Sequence, residues 1–326
     1  MIYLIVDSSG FGGIESHIQQ LAILLQSKQA DLEVVYLQHY PSHPQYTELE
    51  QHQIPYRFLS ESSVTSFFRQ LKADDIVHAH GYKASVLSRC GRLLAPYHLV
   101  TTFHAGEAVS GKLAFYEWLN RYTSAFSYNL AVSEKIKTDL PFRCELLRNF
   151  VHCQNAIDSR SRHSTLQVGF VGRLSHEKAI DRFVSLSTQL PYIRCHVFGD
   201  GDQAGMLQGR PVIWHGAVPA MEPYWHRLDV LLITSRAEGM PMAALEAMAH
   251  GVVVLSTDVG EMPTLLDQEC LVAEAHWQDL AARVKDLDNA GDEAWQRLSE
   301  RQHQLVKKHY SGEACWQQLA RIYRMV

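Results

Sequence analysis

The sequence has no apolar run long enough to cross a membrane, because nowhere do about eighteen apolar residues follow one another. The opening stretch from Met1 to Asp7 has no basic segment and too short an apolar run for a secretory signal peptide. Positive charge is not in excess either, since the formal net charge is −5, which argues against nucleic acid as the main partner. We therefore expect a soluble protein, one that could still touch a membrane surface.

Cysteine is scarce and scattered, with six residues and no Cys-x-x-Cys pair. This spacing favours neither a disulfide framework nor a zinc site and predicts reduced thiols in a cytoplasmic protein. The chain also lacks a Gly-x-Gly-x-x-Gly motif with an acidic partner, the fingerprint of NAD(P)-binding folds. No cofactor is expected, and an NAD(P)-dependent oxidoreductase is disfavoured.

What the chain does have is two similar halves. Its 326 residues fit two domains, and its contents of 46% hydrophobic and 20% charged residues are ordinary for a globular protein. In the first half the apolar run Ile2 to Val6 leads into a glycine-rich turn and an amphipathic helix, and in the second half Leu166 to Val171 leads into Gly172. Strand, glycine turn and helix open a doubly wound α/β unit. The polar stretch 158–165 is the best boundary between the two units.

The most informative stretch follows a buried-strand run that ends at Ser235, and residues 236–246 read Arg-Ala-Glu-Gly-Met-Pro-Met-Ala-Ala-Leu-Glu. Gly239 permits an unusual turn or the close approach of a ligand. Pro241 suits the first position of a helix, and Gly251 suits the position just past its end. The unpaired amide groups and the dipole of such a helix make its beginning attractive to an anion.

Two carboxylates flank this helix start, Glu238 in the loop and Glu246 in the second turn. A carboxylate is poorly suited to binding phosphate but well suited to accepting hydrogen bonds from sugar hydroxyls. The pattern indicates a pocket that holds phosphate and sugar together. The alternative is a capped amphipathic helix that carries two solvated glutamates.

Two other strand ends carry candidate site residues. Arg173 directly follows the strand that ends at Val171, and Lys178 comes five residues later, so that two cations can converge on one anion. Exposed surface residues are the alternative. In the first half, His104 ends an apolar strand that begins at His98, and a neutral imidazole there could bond a sugar hydroxyl or help to hold the acceptor.

Histidines also end another strand of the first half. His78 and His80 are two residues apart and share a strand face, but the sequence shows no third ligand nearby, so no metal site is predicted.

The spacing Glu238-x7-Glu246 within Glu-Gly-Met-Pro-x-Ala-x-x-Glu resembles the signature of the retaining glycosyltransferases of family 4, the group 1 glycosyltransferases with the GT-B fold. Gly-Arg-Leu with Glu-Lys at 172–178 and Thr-x-His ending at His104 add to the resemblance. It implies an α/β protein with two Rossmann-like doubly wound domains that face each other across a cleft. Residues 1–160 would bind the acceptor and 161–310 the nucleotide sugar, and the helix in 311–326 would cross back to the first domain.

The resemblance also implies roles for single residues. His104 and Glu238 would lie near the transferring sugar and act in catalysis. The implied donor-binding residues are Gly12, Gly13, Arg173, Lys178, Gly199, Gly216, Gly239, Met240, Pro241, Met242, Ala243 and Glu246. Within this set Arg173 and Lys178 would clamp the diphosphate, Gly216 would touch the nucleobase, and Glu246 would bond the ribose.

Three positions depart from the family pattern. Ala179 stands where the family usually has a glycine after the lysine, and Glu261 replaces the second glycine of a Gly-Gly-x-Pro-Glu loop. Phe150 replaces the glycine of an Asn-Gly-Val turn, although Asn149 remains. These changes put the local conformation of each loop in question.

The implied activity is transfer of a sugar, with retention, from a UDP- or GDP-sugar to a glycan or lipid-linked acceptor in bacterial cell-surface polysaccharide synthesis. Because fixed cations are present, we expect metal-independent catalysis. Between Lys83 and Arg148 nine basic and five acidic residues give a net charge of 9 − 5 = +4. This basic segment could face solvent, an anionic membrane surface or a lipid-diphosphate acceptor. A sugar-nucleotide epimerase of the same architecture and a non-catalytic nucleotide-sugar-binding protein are the alternatives.

Overall fold

The chain forms two compact α/β units. The computed structural model describes residues 1–8, 10, 12–41, 43–104, 112–153, 157 and 160–325, with the backbone alone at 112 and 113. The first unit comprises Met1–Asn149 with Trp316–Val326, and the second comprises Phe150–Cys315. The sequence-based boundary at 160/161 lies somewhat further along the chain, and Asp158 and Ser159 of the predicted linker fall outside the described residues. The roles assigned to the two domains stay predictions.

The first unit is built on a seven-stranded sheet in which every neighbouring pair runs parallel, in the order β3-β2-β1-β4-β5-β6-β7. Its strands are β1 (Ile2–Val6), β2 (Leu32–Tyr36), β3 (Tyr56–Phe58), β4 (Ile76–His80), β5 (His98–Phe103), β6 (Tyr128–Ala131) and β7 (Cys144–Leu146). Its helices are α1 (Gly13–Ser27), α2 (Pro44–Gln51), α3 (Val64–Gln70), α4 (Tyr82–Gly91), α5 (Lys112–Tyr122) and α6 (Glu134–Asp139).

The second unit is built on a six-stranded parallel sheet in the order β10-β9-β8-β11-β12-β13. Its strands are β8 (Gln167–Val171), β9 (Arg194–Phe198), β10 (Ile213–Trp214), β11 (Val230–Ile233), β12 (Val253–Thr257) and β13 (Leu271–Val272). Its helices are α7 (Ile180–Ser187), α8 (Met242–Ala249), α9 (Met262–Leu265) and α10 (Leu280–His309), and α11 (Gly312–Ile322) continues into the first unit. Counted from β8, this strand order is the 3-2-1-4-5-6 order of the Rossmann fold.

Short apolar runs form the strands because both faces of each sheet are covered. Every residue of β2, β11 and β12 is buried, as parallel strands between two helical layers require. α1 faces its sheet with Ile18, Leu21 and Leu25, which are fully buried. The expected two-domain α/β architecture is therefore confirmed.

Some elements are short, since α4 ends at Gly91 and β3 spans only Tyr56–Phe58. α10 contains a kink at Gly291, which has a φ of 80°. No helix among the described residues is long and apolar enough to span a membrane.

Glycines let the loops at the carboxyl edge of the second sheet pack backbone against backbone. Gly199, after β9, has a φ of 139°, and a Cβ added to it would lie 1.9 Å from the carbonyl oxygen of Gly172, after β8. The amide of Gly199 donates a 2.7 Å hydrogen bond to the carbonyl of Gly216, after β10, where φ is 72°. No side chain fits between these loops, so glycine at 199 is a requirement of the fold.

Ala179, which stands where the family usually has a glycine, adopts a backbone conformation that favours glycine. Ala179 is the N-cap of α7 and adopts the left-handed conformation, with φ 57° and ψ 52°. A glycine reaches this conformation without steric cost, whereas an alanine pays about 1–2 kcal/mol. The family's usual glycine thus matches a backbone requirement that this chain meets with a strained, fully buried alanine.

Substitution of Gly199 tests this packing. Gly199→Ala should lower the free energy of unfolding by about 2–4 kcal/mol, because its methyl group would force Gly172 away and its φ disfavours a side chain. Chemical denaturation followed by circular dichroism measures the change. Gly205→Ala is the matched control, since a Cβ there meets nothing within 4 Å and the change should stay within about 0.5 kcal/mol. Equal stability of the two variants would contradict the packing described.

Candidate active site

Two residues that the sequence places in one pocket contact each other directly. The ammonium nitrogen of Lys178 lies 2.6 and 2.7 Å from the two carboxylate oxygens of Glu238. Ser235 donates a further 2.6 Å hydrogen bond to Oε1 of Glu238. The Glu238 side chain is only 6% exposed, whereas Lys178 is 34% exposed. The loop after β8 and the loop after β11 are therefore joined by a partly buried ion pair whose cation still reaches solvent.

A second ion pair fastens the same two loops. Arg236 bonds the carboxylate of Asp181 with both terminal nitrogens, at 2.9 and 2.6 Å, and one of them also donates to the carbonyl of His176. The backbone amide of Arg236 donates to the carbonyl of Glu177. The hydrogen bonds from Arg236 lower the pKa of Asp181 below its ordinary value. Sequence reasoning missed this ion pair, although an arginine three residues after the end of β11 was the available signal.

Arg173, the other predicted clamp residue, lies at the same sheet edge and is exposed. Within the part of the chain that the structure describes, it forms no ion pair with a carboxylate, unlike Lys178 and Arg236. Its guanidinium is thus available for a ligand anion, but the structure does not show it converging with Lys178. The clamp stays a prediction.

Helix α8 begins at this edge, one residue later than predicted. Pro241 is the N-cap, with φ −71° and ψ 122°, rather than the first helical residue, and its carbonyl accepts the first intrahelical bond from Ala244. Because proline has no polar side chain, no side-chain cap bonds the first-turn amides of Met242 and Ala243. Those amides are the groups that the sequence assigns to an anion. The side chain of Met242 itself is buried and belongs to the core.

Helix α8 ends just before Gly251, as predicted. Gly251 has a φ of 71°, its amide donates to the carbonyl of Met248, and the amide of Val252 donates to the carbonyl of Ala247. These paired bonds are a Schellman motif. Glu246 projects from the second turn and is half-buried, and its role toward a ribose stays a prediction.

The loop after β12 packs onto the backbone of the Glu238 loop. Gly260 has a φ of 57°, and a Cβ on it would lie 2.3 Å from the carbonyl oxygen of Glu238 and 2.5 Å from that of Gly239. The amide of Glu261 donates to the carbonyl of Gly239. The glycine that the family motif retains is therefore the one the packing requires, and the departure at Glu261 leaves the contact intact. Met240, next to this contact, is buried.

In the first unit the glycine loop after β1 leads into α1. Gly12 is the N-cap of α1 with an extended backbone, and Gly13 is its first residue. A Cβ on Gly12 would meet only Glu15 Oε2, at 3.4 Å, and one on Gly13 would meet nothing within 4 Å. The protein's own packing thus leaves the surface of Gly13 open, and a ligand role for the two glycines stays a prediction.

His104 lies within a cluster of histidines at the carboxyl edge of the first sheet. Its Nε2 is 3.0 Å from Nδ1 of His80, and one ring nitrogen from each of His17, His80 and His104 lies within 4.8 Å of the others. The expectation that no third imidazole lies near His80 is therefore wrong, because α1 and β5 each bring one. Sequence spacing could not reveal this, since the three residues come from separate elements. Ala105 and Gly106, which follow His104, lie outside the described residues.

Burial keeps these imidazoles neutral. Desolvation lowers the pKa of His17 to about 4 and holds the pKa of His80 and of His104 well below the ordinary value, and the neighbouring histidines add to the effect for His80 and His104. His104 can therefore accept or donate a hydrogen bond as a neutral ring, as the sequence-based role requires.

The departure at Phe150 also has a structural explanation. Phe150 is 1% exposed and packs as a core side chain instead of making a glycine turn. Asn149, the residue that keeps the family pattern, lies 3.0 Å from His17 Nδ1 through its side-chain oxygen. The asparagine therefore orients a histidine of the cluster in the first unit.

Comparisons with known proteins agree with this architecture. Residues 165–289 match the sequence profile described as "Glycosyl transferases group 1", and residues 11–158 match "Glycosyltransferase Family 4". The structure superposes on HepE of Anabaena in complex with UDP-glucose with a TM-score of 0.81 and 17% identity, over 100% of this chain and 99% of that one. It superposes on sucrose-phosphate synthase of Thermosynechococcus elongatus with a TM-score of 0.78 and 16% identity, over 99% and 98%. The fold is GT-B.

The matches to curated relatives cover a smaller share of each chain than the structural matches do. TuaC of Bacillus subtilis, a putative teichuronic acid biosynthesis glycosyltransferase, is 28% identical over 71% of this chain and 65% of its own length. WbnH of Escherichia coli, an O-antigen biosynthesis glycosyltransferase, is 27% identical over 37% of each chain. The match thus spans less than two thirds of either relative. Since the two family profiles together cover most of the sequence, the chain belongs to the group 1 glycosyltransferases of family 4.

Proposed function

We propose that this protein transfers a sugar from a UDP- or GDP-sugar to a glycan or lipid-linked acceptor during synthesis of a bacterial cell-surface polysaccharide. The observation that carries the proposal is the meeting of Lys178, Glu238 and the start of α8 at one edge of the second sheet. The family, the UDP-glucose complex of the structurally similar HepE and the polysaccharide pathways named for TuaC and WbnH support it.

The donor diphosphate would lie against the first-turn amides of α8. The helix dipole and these amides favour an anion, and Lys178 and Arg173 would add two positive charges. Lys178 need not leave Glu238 to do so, because an ammonium group has three donors and 34% of this side chain is exposed. Preorganised cations of this kind stabilise the charge that grows on the leaving diphosphate. They take the place of a divalent metal in our proposal.

The reaction would retain the configuration of the sugar. The bond between the anomeric carbon and the diphosphate oxygen breaks, the acceptor oxygen attacks from the same face, and its proton passes to the departing diphosphate. Glu238 would hold the donor sugar through hydroxyl groups, since its carboxylate is fixed by Lys178 and Ser235. His104 would contact the transferring sugar or the acceptor as a neutral imidazole.

An exposed aromatic surface on the first unit fits a membrane-bound acceptor. Phe115, Trp118 and Tyr122 on α5, together with Phe126, are each 53–65% exposed, and we call them the aromatic surface. Arg92 donates a hydrogen bond to the carbonyl of Phe126, which places a cation beside this surface. Aromatic rings with basic neighbours are the composition that binds the interface of an anionic bilayer. We propose peripheral contact with the cytoplasmic face of the membrane.

Two other activities would use the same architecture. An epimerase would convert the donor sugar to an isomer without any acceptor, and a binding protein would hold the donor unchanged. The retained Arg173, Lys178, Glu238 and Glu246 favour catalysis over binding alone. Incubation with donor alone reveals an epimerase by the isomerised sugar. Incubation with donor and acceptor then separates a transferase, which forms product, from a binding protein, which does not.

Substitution of the ion pair tests the catalytic site. Lys178→Ala and Glu238→Ala should each lower kcat by roughly 100- to 1,000-fold, as loss of one charged group from a preorganised site does. The measurement is nucleoside diphosphate release coupled to product analysis. Lys285→Ala, an exposed lysine of the same unit, is the control and should keep wild-type turnover.

Stability must be separated from activity in this test. Lys178→Ala leaves a buried carboxylate without its cation, so the double variant Lys178→Ala/Glu238→Gln, which removes both charges, should fold with near wild-type stability and remain inactive. Wild-type rates in the folded single variants would end the proposal.

The membrane contact makes its own prediction. Combined Phe115→Ser, Trp118→Ser and Tyr122→Ser substitutions should reduce binding to phosphatidylglycerol-containing vesicles at least tenfold, because they remove the interfacial aromatic rings. Vesicle co-sedimentation at low and high salt measures binding. Tyr192→Ser, which alters a 90% exposed tyrosine of the second unit, is the control. Unchanged binding in the triple variant, or no binding by the wild-type protein, would refute the contact.

A further inference from the structure

The histidine cluster has the composition of a metal site. No motif in the sequence predicts such a site. His17 comes from α1, His80 from the end of β4 and His104 from the residue after β5. One nitrogen from each lies within 4.8 Å of the other two. A tetrahedral ion with Zn–N bonds of about 2.0–2.1 Å would hold its ligand nitrogens about 3.3 Å apart. Binding of an ion would replace the 3.0 Å hydrogen bond between His80 and His104 and would require the side chains to rotate.

The hydrogen bonds around the cluster show which ring nitrogens the protein already engages. The side-chain oxygen of Asn149 can only accept, so Nδ1 of His17 carries the proton and Nε2 carries the lone pair. A metal-binding imidazole is commonly held in this way, by an oxygen that accepts a hydrogen bond from its other ring nitrogen. Nδ1 of His80 is engaged with His104, and Nε2 of His80 is buried with no hydrogen-bond partner among the described residues. A buried polar atom of this kind is costly unless a ligand satisfies it.

The neighbouring His78 is not part of the cluster. Its two ring nitrogens are occupied by the hydroxyl of Tyr323, at 2.5 Å, and the hydroxyl of Thr102, at 2.7 Å. His78 therefore packs beside His80, with ring centroids 4.2 Å apart, but offers no lone pair to an ion. The hydrogen bonds therefore mark His78 as a structural residue, and His17, His80 and His104 remain the candidate ligands.

We propose that His17, His80 and His104 bind a first-row transition-metal ion, with Zn²⁺ the best fit, and that Asn149 positions the first of these ligands. Three neutral imidazoles suit Zn²⁺, Ni²⁺ and Cu²⁺, whereas Mg²⁺ and Ca²⁺ require oxygen ligands that this cluster does not supply. Among the described residues the cluster has these three ligands, so water would complete a four-coordinate ion. All three ligands belong to the first unit, whereas Lys178 and Glu238 belong to the second.

Metal binding has a consequence for catalysis that rests on the proposed function. The ion would occupy a ring nitrogen of His104 and so remove this side chain from the sugar or acceptor. Zn²⁺ should therefore inhibit transfer, and EDTA should restore it. Metal binding itself is measured without any substrate, so failure of the proposed transferase activity leaves the metal test intact.

The test is titration of the EDTA-treated, full-length protein with ZnCl₂ by calorimetry and with CoCl₂ by visible absorption. We expect one equivalent of Zn²⁺ bound with micromolar or tighter affinity and the intense bands of four-coordinate Co²⁺. His17→Gln and His80→Gln should each weaken Zn²⁺ binding more than tenfold, and Asn149→Ala by about 10–100-fold. MgCl₂ should produce no heat of binding.

The controls separate this site from ordinary surface histidines and from misfolding. His52→Gln, an exposed histidine of the same unit, should bind Zn²⁺ like the wild-type protein. Thermal melting in EDTA shows which variants fold, and Zn²⁺ should raise the Tm of the wild-type protein but not that of a folded ligand variant. Absence of Zn²⁺ binding to the wild-type protein, or binding that persists in folded His17→Gln and Asn149→Ala, would overturn the proposal.

Discussion

The carboxylate of Glu238 is held by Lys178 and Ser235, and this partly buried contact is the point on which the site depends. A carboxylate that is 6% exposed requires a cation beside it, and the cation must come from another loop because the β11 loop supplies its arginine to Asp181. The ion pair therefore fixes the position of the β8 loop relative to the start of α8. In our proposal an anion bound at that helix start lies beside this lysine.

Parallel topology explains why so many separate segments contribute. In a doubly wound sheet the carboxyl ends of all strands share one edge, and loops after β8, β9, β10, β11 and β12 all reach it in the second unit. Close packing of these loops requires glycine where backbones touch, as at Gly199 and Gly260. In the first unit three segments likewise meet, and there they bring histidines together.

Sequence reasoning predicted the two α/β units, the family and the C-terminal end of α8, because apolar periodicity, glycine turns and a spaced glutamate pair are local signals. It placed Pro241 one position too far into the helix, since proline suits both the N-cap and the first turn. It could not predict that Phe150 would enter the core, or that Lys178 would contact Glu238, because such pairings depend on tertiary packing. His17 joins His80 and His104 across long stretches of chain, so its place in the cluster was missed.

The most direct test of the account is the thermal shift of the wild-type protein and of Arg173→Ala with UDP, GDP and ADP and with their nucleosides. Arg173 is exposed and forms no ion pair within the described chain, so its loss should not alter stability by itself. One diphosphate at about a hundred times its Kd should stabilise the wild-type protein by about 2.7 kcal/mol. The matching nucleoside should do much less, and Arg173→Ala should lose most of the effect. A shift of equal size with nucleoside and diphosphate, or one that Arg173→Ala retains in full, would contradict a diphosphate held by charge at this sheet edge.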